Sequence, residues 1–209
     1  MCAGSVVACA RALVFVPYKS RSSLGISIID RHPMTMPELD ILPGHATPAQ
    51  LLYPDLASEL ASTRKMLECV PDGKDDWKPH EKSMSLGKLA THLAELPTFA
   101  TVIFNTAELD LNTMDWTPPS IANNAERLAL FDKNAAELTA ALEGADWTAL
   151  SANWKMMMGD QLYMQDRKST LVRTMGISHI GHHRAQLGVF LRLLGIAIPG
   201  PYGASADEM

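Results

Sequence analysis

Four separate runs of apolar residues, each spaced three and four apart, confine this chain to a small set of folds. In the first, Leu56, Leu60, Leu67 and Val70 recur with Thr63 in register, the 4-3-4-3 spacing that puts side chains on one face of an α-helix. Pro71-Asp72-Gly73 closes that run. A second stripe, Leu86, Leu89, Leu93, Leu96 and Ile103 with Ala100, follows Ser85, whose hydroxyl suits an N-cap, and a kink is expected at Pro97. Thr117-Pro118-Pro119-Ser120 reads as a helix start, because proline is tolerated in a first turn, and Ile121, Ala125, Leu128, Ala135, Leu138 and Leu142 supply a third stripe that Gly144 breaks. The fourth runs from about Ser169 to Leu194, with Ile180, Leu187, Phe190 and Leu194 on one face before Gly195.

Between the third and fourth stripes, the segment Trp154 to Tyr163 combines a methionine run with Gly159-Asp160 and reads as a short extended or hairpin element in a long crossover. Elsewhere no alternation argues for strands. The expectation is an all-α four-helix bundle, a fold that builds its sites from side chains projecting inward from facing helices.

Charge and length narrow the function classes. A chain of 209 residues suits one domain, and a net charge of -5, with no basic cluster interleaved with aromatics, argues against a nucleic-acid partner. No stretch approaches the roughly 18–20 apolar residues of a membrane span, so a soluble protein is expected. Cys2, Cys9 and Cys69 lack paired spacing and read as reduced thiols of a cytoplasmic protein. Residues 1–35 differ from the rest: Arg11, Lys19, Arg21 and Arg31 stand against the lone acid Asp30, and no packed-element periodicity is present. They read as a disordered extension or an upstream start ahead of Met34 or Met36, with a targeting segment as the weaker alternative because the apolar patch Ala12 to Val16 is short and no clean cleavage site follows. The folded domain is expected over 36–209.

The histidines carry the chemistry. His179 and His183 are four apart on the fourth stripe, within roughly 40° of each other around a helix, so both can grip one ion. His183 is in register with Ile180 and Leu187, and His92 lies beside Leu89, Leu93 and Leu96 on the second stripe, so all three are expected to point inward. A single core histidine is more often a hydrogen-bonded packing residue. Three together suggest a divalent metal bound by neutral nitrogens with a position left open, as in catalytic zinc sites. His182 is the alternative to His183, or a support behind it, and Glu95, one turn beyond His92, is a candidate proton acceptor or an ordinary solvated glutamate. His32, His45 and His80 read as loop residues, and Met156-Met157-Met158 as packing.

The run His179-Ile180-Gly181-His182-His183-Arg184-Ala185-Gln186-Leu187, continuing to Leu191-Arg192-Leu193-Leu194-Gly195, resembles the closing helix of the DinB-like family of bacterial metalloproteins. So do Trp77-Lys78-Pro79-His80 and Leu89-Ala90-Thr91-His92-Leu93, and the resemblance extends from about Met36 to the tail; Ala185 stands where the family usually has glycine. It implies an up-down-down-up bundle, often a homodimer, with the metal triad on His92, His179 and His183. It also implies a small-molecule substrate and an S-transferase or hydrolase chemistry in which the metal activates a low-molecular-weight thiol or water. Zinc suits three imidazoles best, although nickel, manganese and iron occupy similar sites. A stress-associated binding protein whose metal performs no turnover is the second reading.

Overall fold

The computed structural model describes residues 46–209. The expectations for residues 1–35, the boundary at Met36, and His32, His45, Cys2 and Cys9 lie outside the described residues.

Short helix α1 (Pro48–Leu52) opens with a capping box in which Thr47 and Gln50 satisfy each other's backbone amides. The first apolar run forms α2 (Leu56–Glu68), which buries Leu60, Thr63 and Leu67 and ends before Gly73, whose φ of 74° suits only glycine comfortably. Ser85 caps α3 (Leu86–Asn105) as expected, and the helix continues through Pro97.

The third helix differs from its sequence reading. α4 (Asn124–Glu143) starts after the two prolines, where Asn123 accepts from the Glu126 amide and Asp72 accepts from the Asn124 amide. Its buried face is Asn124, Arg127, Phe131, Asn134, Leu138 and Leu142, while Ala125 is exposed and Ile121 precedes the helix. An apolar stripe could not reveal this face, because half of it is polar. Asn124 donates to the Leu67 carbonyl, Asn134 to the Ala94 carbonyl, and the fully buried Arg127 to Asn124, Thr91 and Asp75.

Contacts between helices give the topology. Arg173 reaches Asp55, Arg184 reaches Glu59 and Gly188 lies against Met66, so α2 and the last helix run parallel. His92 faces His183 whereas Ala100 faces Gly176, so α3 opposes the last helix. Arg127 meets Thr91 and Asn134 meets Ala94, so α3 and α4 are parallel. The order is up-down-down-up. Parallel neighbours oblige residues 106–123 to travel back along α3, a 20-residue helix about 30 Å long.

The long connection before the last helix holds α5 (Trp147–Ser151) and a hairpin of β2 (Asn153–Met158) and β3 (Gln161–Arg167), turning at Gly159 with φ 57°. This is the extended element the methionine run suggested, enlarged to three strands by β1 (Glu108–Asp110), which pairs parallel to β2. β1 is too short to show a period, so the sequence read it as loop. The sheet covers one end of the bundle: Trp154 is buried against Phe99 and its indole donates to Thr106, while Met156 and Met164 pack on the same cluster. No helix among the described residues is long and apolar enough to cross a membrane.

The last stripe forms three contiguous stretches, α6 (Lys168–Leu171), a π-helical segment (Val172–Ser178) and α7 (His179–Leu193). A periodicity count reads this as one uninterrupted helix, because the register change costs the apolar pattern little.

Candidate metal centre

His92 on α3 faces His179 and His183 on α7, and one ring nitrogen from each lies within 4.8 Å of the others. Ring centroids are 4.7 Å apart for His92 and His183, 5.4 Å for His92 and His179, and 4.6 Å for His179 and His183. Tetrahedral zinc with nitrogens at 2.0–2.1 Å sets its donors roughly 3.4 Å apart. The observed spacings, from 2.8 Å for the His179 and His183 Nε2 pair upward, bracket that value.

The helices aim these rings by identifiable contacts. Just past the π-helical segment the His179 backbone N–H donates to the Gly176 carbonyl, and the His179 ring Nδ1 lies 3.3 Å from the Met175 carbonyl. A carbonyl only accepts, so the Nδ1 carries the proton and Nε2 presents a lone pair to the centre. His183 is held likewise by Gln186, whose Oε1 lies 2.7 Å from its Nδ1. Outer partners of this kind fix ring orientation at metal sites. π-helical turns recur at functional sites, and here the segment, which ends just before His179, also brings Gly176 against Ala100: a Cβ on Gly176 would sit 2.8 Å from the Ala100 Cβ. Gly176→Ala is therefore expected to destabilise the fold by about 1–3 kcal/mol through overpacking, and Ala100→Gly in the same chain should restore much of it, as thermal melting would show.

The third nitrogen carries the strongest signal. His92 Nε2 is buried and has no hydrogen-bond partner. An orphaned buried polar atom costs free energy that native proteins seldom leave uncompensated, and this one faces the other two imidazoles. Three neutral nitrogens without competing protons are the donor set a divalent ion requires.

Burial, reinforced by the neighbouring histidines, pushes His92 down to about 4. Burial also lowers His183 to about 4, against the opposing pull of Gln186, and lowers His179, where the Met175 carbonyl opposes it. In the metal-free protein these groups stay neutral while an unfolded chain takes up protons near its ordinary value of 6.5. The stabilising contribution of His92 and His183 is thus complete above about pH 6.5, declines as the pH falls, and is lost below about pH 4, on the order of 3 kcal/mol for each of these two at most, and His179 acts in the same direction. Urea midpoints of chelator-treated protein at pH 7.5 and pH 4.5 would register the fall.

His182 is exposed and outside the cluster, its ring 4.8 Å from that of His183. Glu95 is half-buried, and burial raises its carboxyl while the Trp116 indole, on the connection that returns along α3, opposes the rise. His80 is an exposed loop residue whose Nδ1 accepts from the Lys82 amide. Gln186, the Met175 carbonyl and Trp116 were missed in the sequence. Only Gln186, one turn after His183, left a trace there. Two open hollows lie away from the triad: one of about 610 Å³ between α7 and the tail around Gly181, Gly188 and Tyr202, the other of about 360 Å³ beside Trp154.

A model of the DinB family matches residues 45–209. The chain belongs to the DinB family. Solved structures agree on the fold of this DinB protein. A DinB-like protein from Bacillus subtilis superimposes with a TM-score of 0.57 at 20% identity, covering 72% of this chain and 97% of that one. For a DinB-like protein from Bacillus cereus the TM-score is 0.53 at 21% identity, over 71% of this chain and 94% of that one. YfiT from Bacillus subtilis, a probable metal-dependent hydrolase with an unusual four-helix bundle topology, gives 0.56 at 14% identity, over 74% and 93%. No curated protein matches this DinB chain.

Proposed function

We propose that this protein is a metal-dependent enzyme of the hydrolase or thiol S-transferase type, with a divalent ion, zinc best suited, held by His92, His179 and His183. The observation that carries the reading is the buried, unpartnered His92 Nε2 facing two further neutral imidazoles. When bound, the ion would supply Lewis-acid activation of a water or a small thiol for attack on an electrophilic substrate. The chain's own residues do the rest. Met175 and Gln186 orient two of the rings, burial keeps all three imidazoles neutral, and the half-buried Glu95, one turn from His92, is the candidate acceptor for the proton that the nucleophile gives up. The description of YfiT as a probable metal-dependent hydrolase favours the hydrolytic arm. A small-molecule substrate and a cytoplasmic homodimer go with this reading.

A second reading, a stress-associated protein that binds metal without turnover, is favoured by burial at the site: His183 is buried and His92 Nε2 is shut off from solvent. Purification without a histidine tag, elemental analysis, and assays of ester or amide hydrolysis and of thiol transfer, each with and without a chelator, separate the two. Near-stoichiometric metal with chelator-sensitive turnover supports the enzyme, metal without turnover the binder, and a protein that cannot be loaded sinks both.

A further inference from the structure

Gln186 differs from the other outer partner of the triad in one chemical respect. The Met175 carbonyl can only accept, so His179 keeps its proton on Nδ1 and a bare Nε2 in every state of the neutral ring. A glutamine amide presents either an oxygen or an NH₂ after a half-turn of its last torsion. With the Gln186 oxygen against His183 Nδ1 at 2.7 Å, the proton lies on Nδ1 and both Nε2 atoms direct lone pairs at each other across 2.8 Å. Two acceptors at that distance repel unless a cation or a proton lies between them.

We propose that Gln186 is a tautomer switch for the metal centre: its amide donates to His183 Nδ1 while the site is empty and accepts from it once the ion is bound. The inference rests on the metal reading above. In the empty site the proton sits on His183 Nε2 and hydrogen-bonds to His179 Nε2, so the two clamp nitrogens satisfy each other. Loading releases one proton from Nε2 to water and returns one to Nδ1. The ring stays neutral and its proton count is unchanged. Gln186 is exposed on α7, so its amide can turn with water at hand. His92 Nε2 has no partner of its own in this exchange.

The test is nitrogen-15 NMR of the imidazoles in histidine-labelled wild type, Gln186→Glu and Gln186→Leu, each zinc-free and zinc-loaded, with zinc affinity measured by competition against a chelator. Wild type should show His183 protonated at Nε2 without zinc and at Nδ1 with it. Gln186→Glu, whose carboxylate only accepts, should show Nδ1 protonation in both states and keep its zinc affinity. Gln186→Leu should bind zinc about 10–100-fold more weakly, with circular dichroism verifying that it folds. Zinc binding by a wild type whose His183 is already protonated at Nδ1 before loading overturns the switch and leaves the metal centre standing. A wild type that takes up no zinc overturns the metal centre, and the switch with it.

Discussion

Replacing His92 with alanine is expected to strip the metal from the protein and leave its helices in place. The two effects separate because of what His92 does and does not touch. Its Nε2 makes no hydrogen bond, so truncation breaks none there. It also removes an unsatisfied buried nitrogen whose isolation carries its own cost, which offsets part of the small cavity left behind. The metal, by contrast, loses its only donor from α3 and retains the His179 and His183 pair on α7. Losing an outer partner typically weakens a metal site 10–100-fold, and the loss of a direct donor should exceed that. Elemental analysis after dialysis should therefore find His92→Ala essentially metal-free, while its melting temperature without metal stays close to that of metal-free wild type. Retention of full metal by this variant would mean that the ion lies elsewhere.

Arg184→Ala is expected to be among the most damaging single changes to stability. Arg184 is 2% exposed beside His183, and its guanidinium donates to the Glu59 carboxylate at 2.8 Å, the Glu59 carbonyl, Thr63 and Tyr202. Tyr202 in turn donates to Glu59, so one network joins α2, α7 and the tail. Deleting the cation leaves Glu59, itself 7% exposed, as a buried charge without its partner. Such deletions cost about 3–5 kcal/mol, a large part of the 5–15 kcal/mol by which native proteins are usually stable. At this chain length that corresponds to a fall in melting temperature of roughly 6–20 °C. Replacing both members, Glu59→Leu with Arg184→Leu, should cost less than Arg184→Ala alone, because no unpaired charge remains. Equal losses in the two proteins would show that packing, not charge, governs the site.

Much of the candidate site was legible beforehand. The four-residue interval between His179 and His183 is a property of helix geometry, and it survives the π-helical segment because that segment ends at Ser178, just before His179. His92 was readable because its neighbours Leu89, Leu93 and Leu96 are all buried, which marks the face on which it lies. The outer partners were not readable. Met175 acts through its backbone carbonyl, which every residue possesses, and Trp116 comes from a connection without periodicity. α4 was misplaced by a few residues because its inner face carries Asn124, Arg127 and Asn134, whose burial depends on partners more than 30 residues away in sequence.

Local sequence determined where four helices form, because apolar spacing and caps such as Ser85 act within a few residues. It also determined that the histidines would face a core. Tertiary structure alone decided that α3 and α4 run parallel, that β1 joins the hairpin, and that His92 meets His179 and His183 closely enough to share one ion. Those outcomes rest on pairings between distant segments, where a buried arginine or a single glycine at a helix crossing sets distances that no local pattern encodes.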